Sequence, residues 1–465
     1  MRNGAGIFAD VNRGALGNGG NFNLEADRIR LSNFAEVTAG TFGLGNGGQL
    51  TVRAGIVLLS GGGFFASSQS PGQGGRINLS ADRLTLQNGG QMTVATLGSG
   101  NGGTIAIRAN RITLIGESAD GSRASFISSQ VLPDASGNAG SIAIATDQLS
   151  IQDGAFISSS TFGSGNSGDI TIQANNIEVL GMSPSDPRFA SVISTAVQRD
   201  ARGTAGTLTL DADRLRVTGG GRISSGTRGI GRGGDLRINA SQIEVSGTDP
   251  GGTRSISISA SVEATGVGNG GDLAISGDRL TITQGGEIST RTLGQGNAGN
   301  LVVQTDEAIV LSGRARNRTT PNEPFLSRLT ASSSSNGAAG TLRLNTPRLS
   351  LERGALISVS SESTGAAGNL EVQGQTITLD NASQLSAETT AGDRGNITLN
   401  TSALILRRNS SLTTSATGTA TGGNITLNSN ATVLPNAATS SPKPSKDRAG
   451  KSTSIPKDCE VDPID

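Results

Sequence analysis

Apolar and polar residues alternate along this chain in short bursts, and the bursts recur. From Gly137 to Gly168 the sequence reads GNAGSIAIATDQLSIQDGAFISSSTFGSGNSG. A Gly-Asn-Ala-Gly turn leads into Ile142 and Ile144, and an Asp147 turn follows. Leu149 and Ile151 come next, then an Asp153-Gly154 turn and a serine-rich run from Phe156 to Thr161. Each run has a period of two, which marks strands rather than helices. The stretch predicts three short strands separated by glycine-marked turns.

The same unit repeats along nearly the whole chain. Its opening glycines are Gly17, Gly45, Gly72, Gly100, Gly137, Gly165, Gly203, Gly231, Gly268, Gly296, Gly337, Gly365 and Gly392, with a fourteenth unit starting at Ala420. The step from Gly137 to Gly165 is 28 residues, and that is the usual value. Four steps are longer, each through an insertion just after the second strand. These insertions run at about 116–125, 181–191, 247–255 and 312–327. They carry Pro, Asp and Arg, as in MSPSDPR and RARNRTTPNEP, so they read as surface loops. Loops locked to one phase of a repeat emerge on one side of a stacked structure, often the binding side, although tolerated decoration explains them equally well. The candidate partner-binding residues are Asp120, Arg123, Asp186, Arg188, Asp249, Arg254, Arg316, Arg318 and Glu323.

One unit buries too few aliphatics to offset the entropy of ordering it. Stacked units bury each ladder against its copies and give every strand two neighbours. The fold class expected is all-β, a parallel β-helix (solenoid) of about fourteen coils of about 28 residues. A leucine-rich repeat would show a central Asn pattern, and a propeller would show aromatic signatures; neither pattern is present. The boundaries expected are a partial coil over 1–16, the repeat domain over 17–434 and a flexible Pro/Ser/Lys-rich tail over 435–465. That tail carries all four lysines, Lys443, Lys446, Lys451 and Lys457, and the single cysteine, Cys459.

Composition narrows the chemistry. The formal net charge is +0, so no basic field exists to attract nucleic acid or anionic lipid. No apolar run approaches the length of a membrane helix. One cysteine rules out an internal disulfide. Without histidine there is no Ser/His or Cys/His nucleophilic site and no histidine-ligated metal.

The remaining constellations have structural readings that outweigh the functional ones. Asp27, Asp82, Asp147, Asp213, Asp278 and Asp306 recur between the first and second strands. They could form a calcium ladder or an acid–base pair, but Asp suits turns and a catalytic site should break the repeat rather than follow it. The Gly-Asn-Gly-Gly turns lack the Lys and Ser/Thr of a phosphate loop and are expected to supply positive φ angles. Ser158 to Thr161, Ser224-Ser225, Ser289-Thr290 and Thr389-Thr390 could make a hydroxyl stripe for ice or glycans, or more simply a solvated sheet face. No catalytic, cofactor-binding or metal residue is assigned, no cofactor is expected, and the chain reads as noncatalytic.

The unit GNxGxLTIxADxLxLxxGAxISSST, with its best copies at 137–168, 268–299 and 72–103, resembles the repeats of cyanobacterial exoproteins of the filamentous haemagglutinin type. The resemblance spans residues 4 to about 430. It implies a right-handed β-helical filament, exported by two-partner secretion through an outer-membrane transporter and held outside the cell or on its outer surface. The role implied is that of an adhesin or structural exoprotein, with a cell-surface glycan or protein receptor as partner. The alternatives are a polysaccharide-modifying β-helix enzyme and a Ser/Thr-face glycan- or ice-binding solenoid. Met1-Arg2-Asn3-Gly4 carries no signal-peptide apolar region and the chain begins inside a repeat, so it reads as part of a larger exoprotein.

Overall fold

Alternation places one apolar side chain on the inner face at every second position. In the computed structural model these faces close on themselves once per repeat. The structure describes residues 1, 3–69, 71–393 and 395–433, together with the backbone of Thr439–Ser440 and Cys459–Glu460. Apart from those two backbone pairs, the expected flexible tail lies outside the described residues. The chain divides into two units, Met1–Arg237 and Ile238–Asp465, and each is a parallel β-helix.

In the first unit the long strands Phe22–Ser32, Gln49–Ser60, Arg76–Gln87, Thr104–Ile115, Ile142–Gln152, Ile170–Leu180 and Leu208–Thr218 stack in parallel in that order. A second sheet stacks the short strands Gly6–Phe8, Glu36–Thr38, Gly63–Phe65, Gln91–Thr93, Phe126–Val131, Phe156–Thr161, Val192–Val197 and Arg222–Thr227. The second unit follows the same plan. Its long strands run from Leu273–Thr283 to Ile425–Val433 and its short strands from Ser257–Ser259 to Ser411–Thr413. Register follows the repeat: Ile142 pairs with Ile170 and Leu149 with Ile177. The inner ladders, such as Ile112, Leu149, Ile177 and Leu215, are at most 1% exposed.

Three local expectations are corrected. The first and second strands of the repeat are one long strand, because the Asp corner is too gentle to end pairing. The ladder merely skips Asp147 and resumes at Gln148. Beyond the three-residue short strands the same sheet continues by single bridges, as in the series Thr41, Ser68, Thr96 and Val131, and it becomes continuous in Phe126–Val131 and Phe156–Thr161.

The Gly-Asn turns do not depend throughout on positive φ. None of Gly103, Gly140, Asn101 and Asn138 has it. Glycine is required there by close stacking: a Cβ on Gly140 would lie 1.7 Å from the carbonyl oxygen of Gly103. Asparagine is used as a ladder instead. The amide N–H of Asn138 donates to Asn101 Oδ1 at 2.9 Å, and that of Asn166 donates to Asn138 Oδ1 at 2.8 Å. Positive φ is found at four opening glycines, Gly203, Gly231, Gly268 and Gly296, and at the corner after the second strand, where Asp153 has φ 54° and Gly154 has φ 86°.

The hydroxyl stripe is neither flat nor solvated. Ser159, Ser160 and Thr161 are fully buried and Ser158 is nearly so. Ser159 and Thr161 share the inner face with Ile157. Ser225 and Thr290 are also fully buried, while Ser289 and Thr389 are nearly so; only Thr390 of the stripe residues is exposed. The inward hydroxyls bind the glycine turns. Ser159 Oγ accepts from the Gly168 N–H at 2.8 Å and donates to the Gly140 carbonyl at 3.2 Å. Thr195, Thr290 and Thr414 donate to the carbonyls of Gly206, Gly299 and Gly423 in the same way. An orphaned buried N–H is costly, so Ser159→Ala is expected to lower stability by about 1–3 kcal/mol. Urea unfolding checks this, and an unchanged midpoint would mean that the hydroxyl does not hold the turn.

Candidate functional site

Each insertion leaves the helix through a glycine with positive φ: Gly116 at 54°, Gly181 at 81°, Gly247 at 97° and Gly313 at 82°. A side chain would be strained there, and glycine is not. Three insertions narrow to single antiparallel bridges, Glu117 to Ala124, Met182 to Ala190 and Thr248 to Ser255. The fourth forms a short hairpin in which Arg314 pairs with Leu326. A buried serine re-enters the wall. Ser125, Ser191 and Ser327 return their amide N–H groups to the carbonyls of Gly116, Gly181 and Gly313.

The loops associate in pairs within each unit. Glu117 accepts from Ser183 Oγ at 2.7 Å and from the Ser185 N–H at 2.9 Å. The first loop thereby reaches the second across the coil that carries Asp153-Gly154. In the second unit the Arg318 N–H donates to the Gly252 carbonyl at 2.8 Å. Glu117 was not among the residues expected from sequence, since its role depends on a partner 66 residues away.

Most of the expected site residues are engaged locally. Asp120 accepts from Ser118 Oγ at 2.5 Å and from the Ser122 N–H and Oγ at 3.1 and 2.8 Å. Those bonds, Ser118's first, lower its carboxyl to about 2. The Arg123 guanidinium lies 5.0 Å from the Phe34 ring centre, a cation–π distance. Asp186 and Arg188 pair at 2.6 Å with Arg188 largely exposed. Asp249 is buried and accepts from Thr253 N–H and Oγ1, both at 2.6 Å, and from the Arg254 N–H at 3.2 Å. Burial pushes its carboxyl up, but these bonds and the Arg254 charge hold it below the ordinary range. Arg316, Arg318 and Glu323 are exposed. Such carboxylates shape their loops, as Asx turns do.

The Asp column of the long strands is interrupted: Gly55, Asn110 and Asn175 hold the same position in the coils between Asp27, Asp82, Asp147 and Asp213. Asp27, Asp82, Asp147 and Asp213 stand exposed at the corner. Among the described residues no group of three or more His, Cys, Asp or Glu is placed to hold a metal.

A different surface breaks the repeat. On the outer face of the short-strand sheet, from Gly6–Phe8 to Phe126–Val131, lies an open groove of about 400 Å³. Phe8, Phe65 and Phe126 rise from its floor, and Phe42, Leu97 and Leu132 form one rim. Phe8 is 62% exposed and Phe42 40%, large values for aromatic rings. Phe156 of the next coil stacks on Phe126, with ring centres 4.9 Å apart. Thr38, Ser67, Thr93, Gln69 and Gln130 supply neutral hydrogen-bonding groups between the rings. Asp10 and Glu36 bring carboxylates to the end nearest the first coil, and among the described residues no Lys or Arg lines the groove. The Asp10 carboxylate accepts from Thr38 Oγ1 and from the Gly40 N–H at 2.6 Å.

The groove phenylalanines were not among the residues expected from sequence. A signal existed: Phe8, Phe65, Phe126 and Phe156 each flank the inward residue of a third strand. Comparison with family models, curated proteins and solved structures finds no match to this chain.

Proposed function

We propose that this chain is a noncatalytic β-helical segment of an adhesin or structural exoprotein of the filamentous haemagglutinin type, secreted or displayed at the outer cell surface. In the regular coils, Asn side chains and buried Ser/Thr hydroxyls hold one coil to the next or hold its turns. The observation that carries the reading is that this repeat gives way, over five coils, to a groove built from aromatic rings and neutral polar groups. A repeating scaffold that carries a ligand-sized concavity suits presentation of a binding surface. Export would run through an outer-membrane two-partner secretion transporter acting on the full-length protein.

The test is antibody labelling of intact source cells, combined with adhesion of beads coated with the purified chain. Labelling without permeabilisation, and bead retention on a cell or glycan surface, are expected. Signal only after permeabilisation, or polysaccharide turnover by the purified chain, would replace this reading with an internal or an enzymatic one.

A further inference from the structure

The geometry points to a specific occupant for the phenylalanine groove: an uncharged, β-linked linear glycan lying along the stack of coils. The inference rests on the proposal that the chain is a noncatalytic binding scaffold, and names the chemistry it would bind.

Ring placement is the first argument. Phe8 and Phe65 occupy the same position in strands two coils apart, with Glu36–Thr38 between them. Coils stack about 4.8 Å apart, so equivalent rings recur about 10 Å apart and the five-strand groove runs about 19 Å. Phe126 lies two coils beyond Phe65, one column across, next to Gln91 in the ladder. Neighbouring sugars of a β-1,4-linked chain are flipped, so like ring faces recur at every second sugar. A disaccharide of such a chain is close in length to two coils. An aromatic at every second coil therefore meets the apolar faces of alternate sugars, the arrangement in which C–H faces stack on π faces.

The groups between the rings are the second argument. The amides of Gln69 and Gln130 both donate and accept, and the Thr38 and Thr93 hydroxyls keep acceptor capacity beside their bonds to Asp10 and Ser128, which suits the hydroxyls of a sugar. A peptide finds less here. The backbone beneath the groove is paired coil to coil except along the outer edge of Gly6–Phe8, so a peptide lying along the groove floor finds no strand to extend. Charge is the third argument. Asp10 and Glu36, with no cationic lining among the described residues, disfavour sulfated and uronate polymers.

Titration calorimetry of the full chain with cellohexaose, chitohexaose, a heparin hexasaccharide and an alginate hexasaccharide tests this. Binding of a neutral oligosaccharide and none of the anionic pair is expected. Phe65→Ala/Phe126→Ala should weaken it about tenfold or more. Phe8→Ala, at an exposed ring, should weaken it with an unchanged melting temperature, which separates lost contact from lost fold. No binding to either neutral probe, a preference for the anionic probes, or undiminished binding by the folded Phe8 variant would overturn the proposal. Surface labelling of source cells stands or falls separately. Reducing ends released by the native chain and not by the Phe variants would keep the glycan groove and overturn the noncatalytic reading.

Discussion

Gly103→Val is expected to destabilise the first unit by about 3 kcal/mol or more, the upper end for forced overpacking. The reason is the stacking of the turns. A Cβ at Gly103 would sit 1.7 Å from the Gly75 carbonyl oxygen and 2.8 Å from its carbon. Those are backbone atoms of the neighbouring coil, so no rotamer change relieves the contact. The column continues through Gly48, Gly75, Gly140 and Gly168, whose Cβ positions would each lie 1.7–2.2 Å from the carbonyl oxygen of the preceding glycine. Moving the Gly103 turn away would strain the turns above and below it, since solenoid stability is a sum over neighbour interfaces. Gly251 is the control: it is exposed, and its nearest neighbour would be a Thr253 methyl at 3.5 Å. Gly251→Ala should stay within about 0.5 kcal/mol of the native chain. Urea unfolding of the two variants decides the matter. Similar midpoints would show that the stack yields where the geometry says it cannot.

This column also shows what the sequence disclosed and what it withheld. The Gly-x-x-Gly spacing located thirteen of the fourteen unit starts, and alternation at Ile142, Ile144, Leu149 and Ile151 located the walls, because inward and outward positions differ in kind. The reason for the glycines was not legible: a steric stack and a left-handed turn leave the same letter. The insertions were legible as breaks in period, and their shared phase is consistent with the contact between neighbouring insertions within each unit. Their pairing was not legible, since the Glu117 bond to Ser183 joins residues of separate insertions. Buried hydroxyls were misassigned for a physical reason. Ser159 counts as polar in any pattern, yet it satisfies the Gly168 N–H that an aliphatic would leave orphaned. The groove was missed because Phe8, Phe65 and Phe126 are far apart in sequence and become neighbours only after stacking.

The second large effect is expected at Arg328→Met. Glu287 is 7% exposed on the outer face of the short-strand sheet, and Arg328 of the adjacent coil pairs with it at 2.7 Å. Burial pushes the Glu287 carboxyl up. The charges of Arg328 and Arg291, with hydrogen bonds from Arg328 and Ser289, more than offset this and hold it below its ordinary value. A carboxyl depressed in the folded state stabilises above its unfolded value, near 4.3, and that stability is lost as pH falls through the folded value. Removing Arg328 leaves burial opposed mainly by Arg291, so the folded value should rise above the unfolded one. The sign then reverses, and the variant loses stability as pH climbs from about 4.3 toward the new folded value. At pH 7 the loss relative to the native chain should be about 3 kcal/mol, the range for stranding a buried charge. At pH 3.5 it should be much smaller, because the carboxyl is largely neutral in the variant. Glu287→Gln in the Arg328→Met background should restore part of the pH 7 loss, since the stranded charge is then gone. Urea midpoints at the two pH values give the answer. A gap that does not change with pH would assign the effect to packing of the Arg328 stem rather than to its charge.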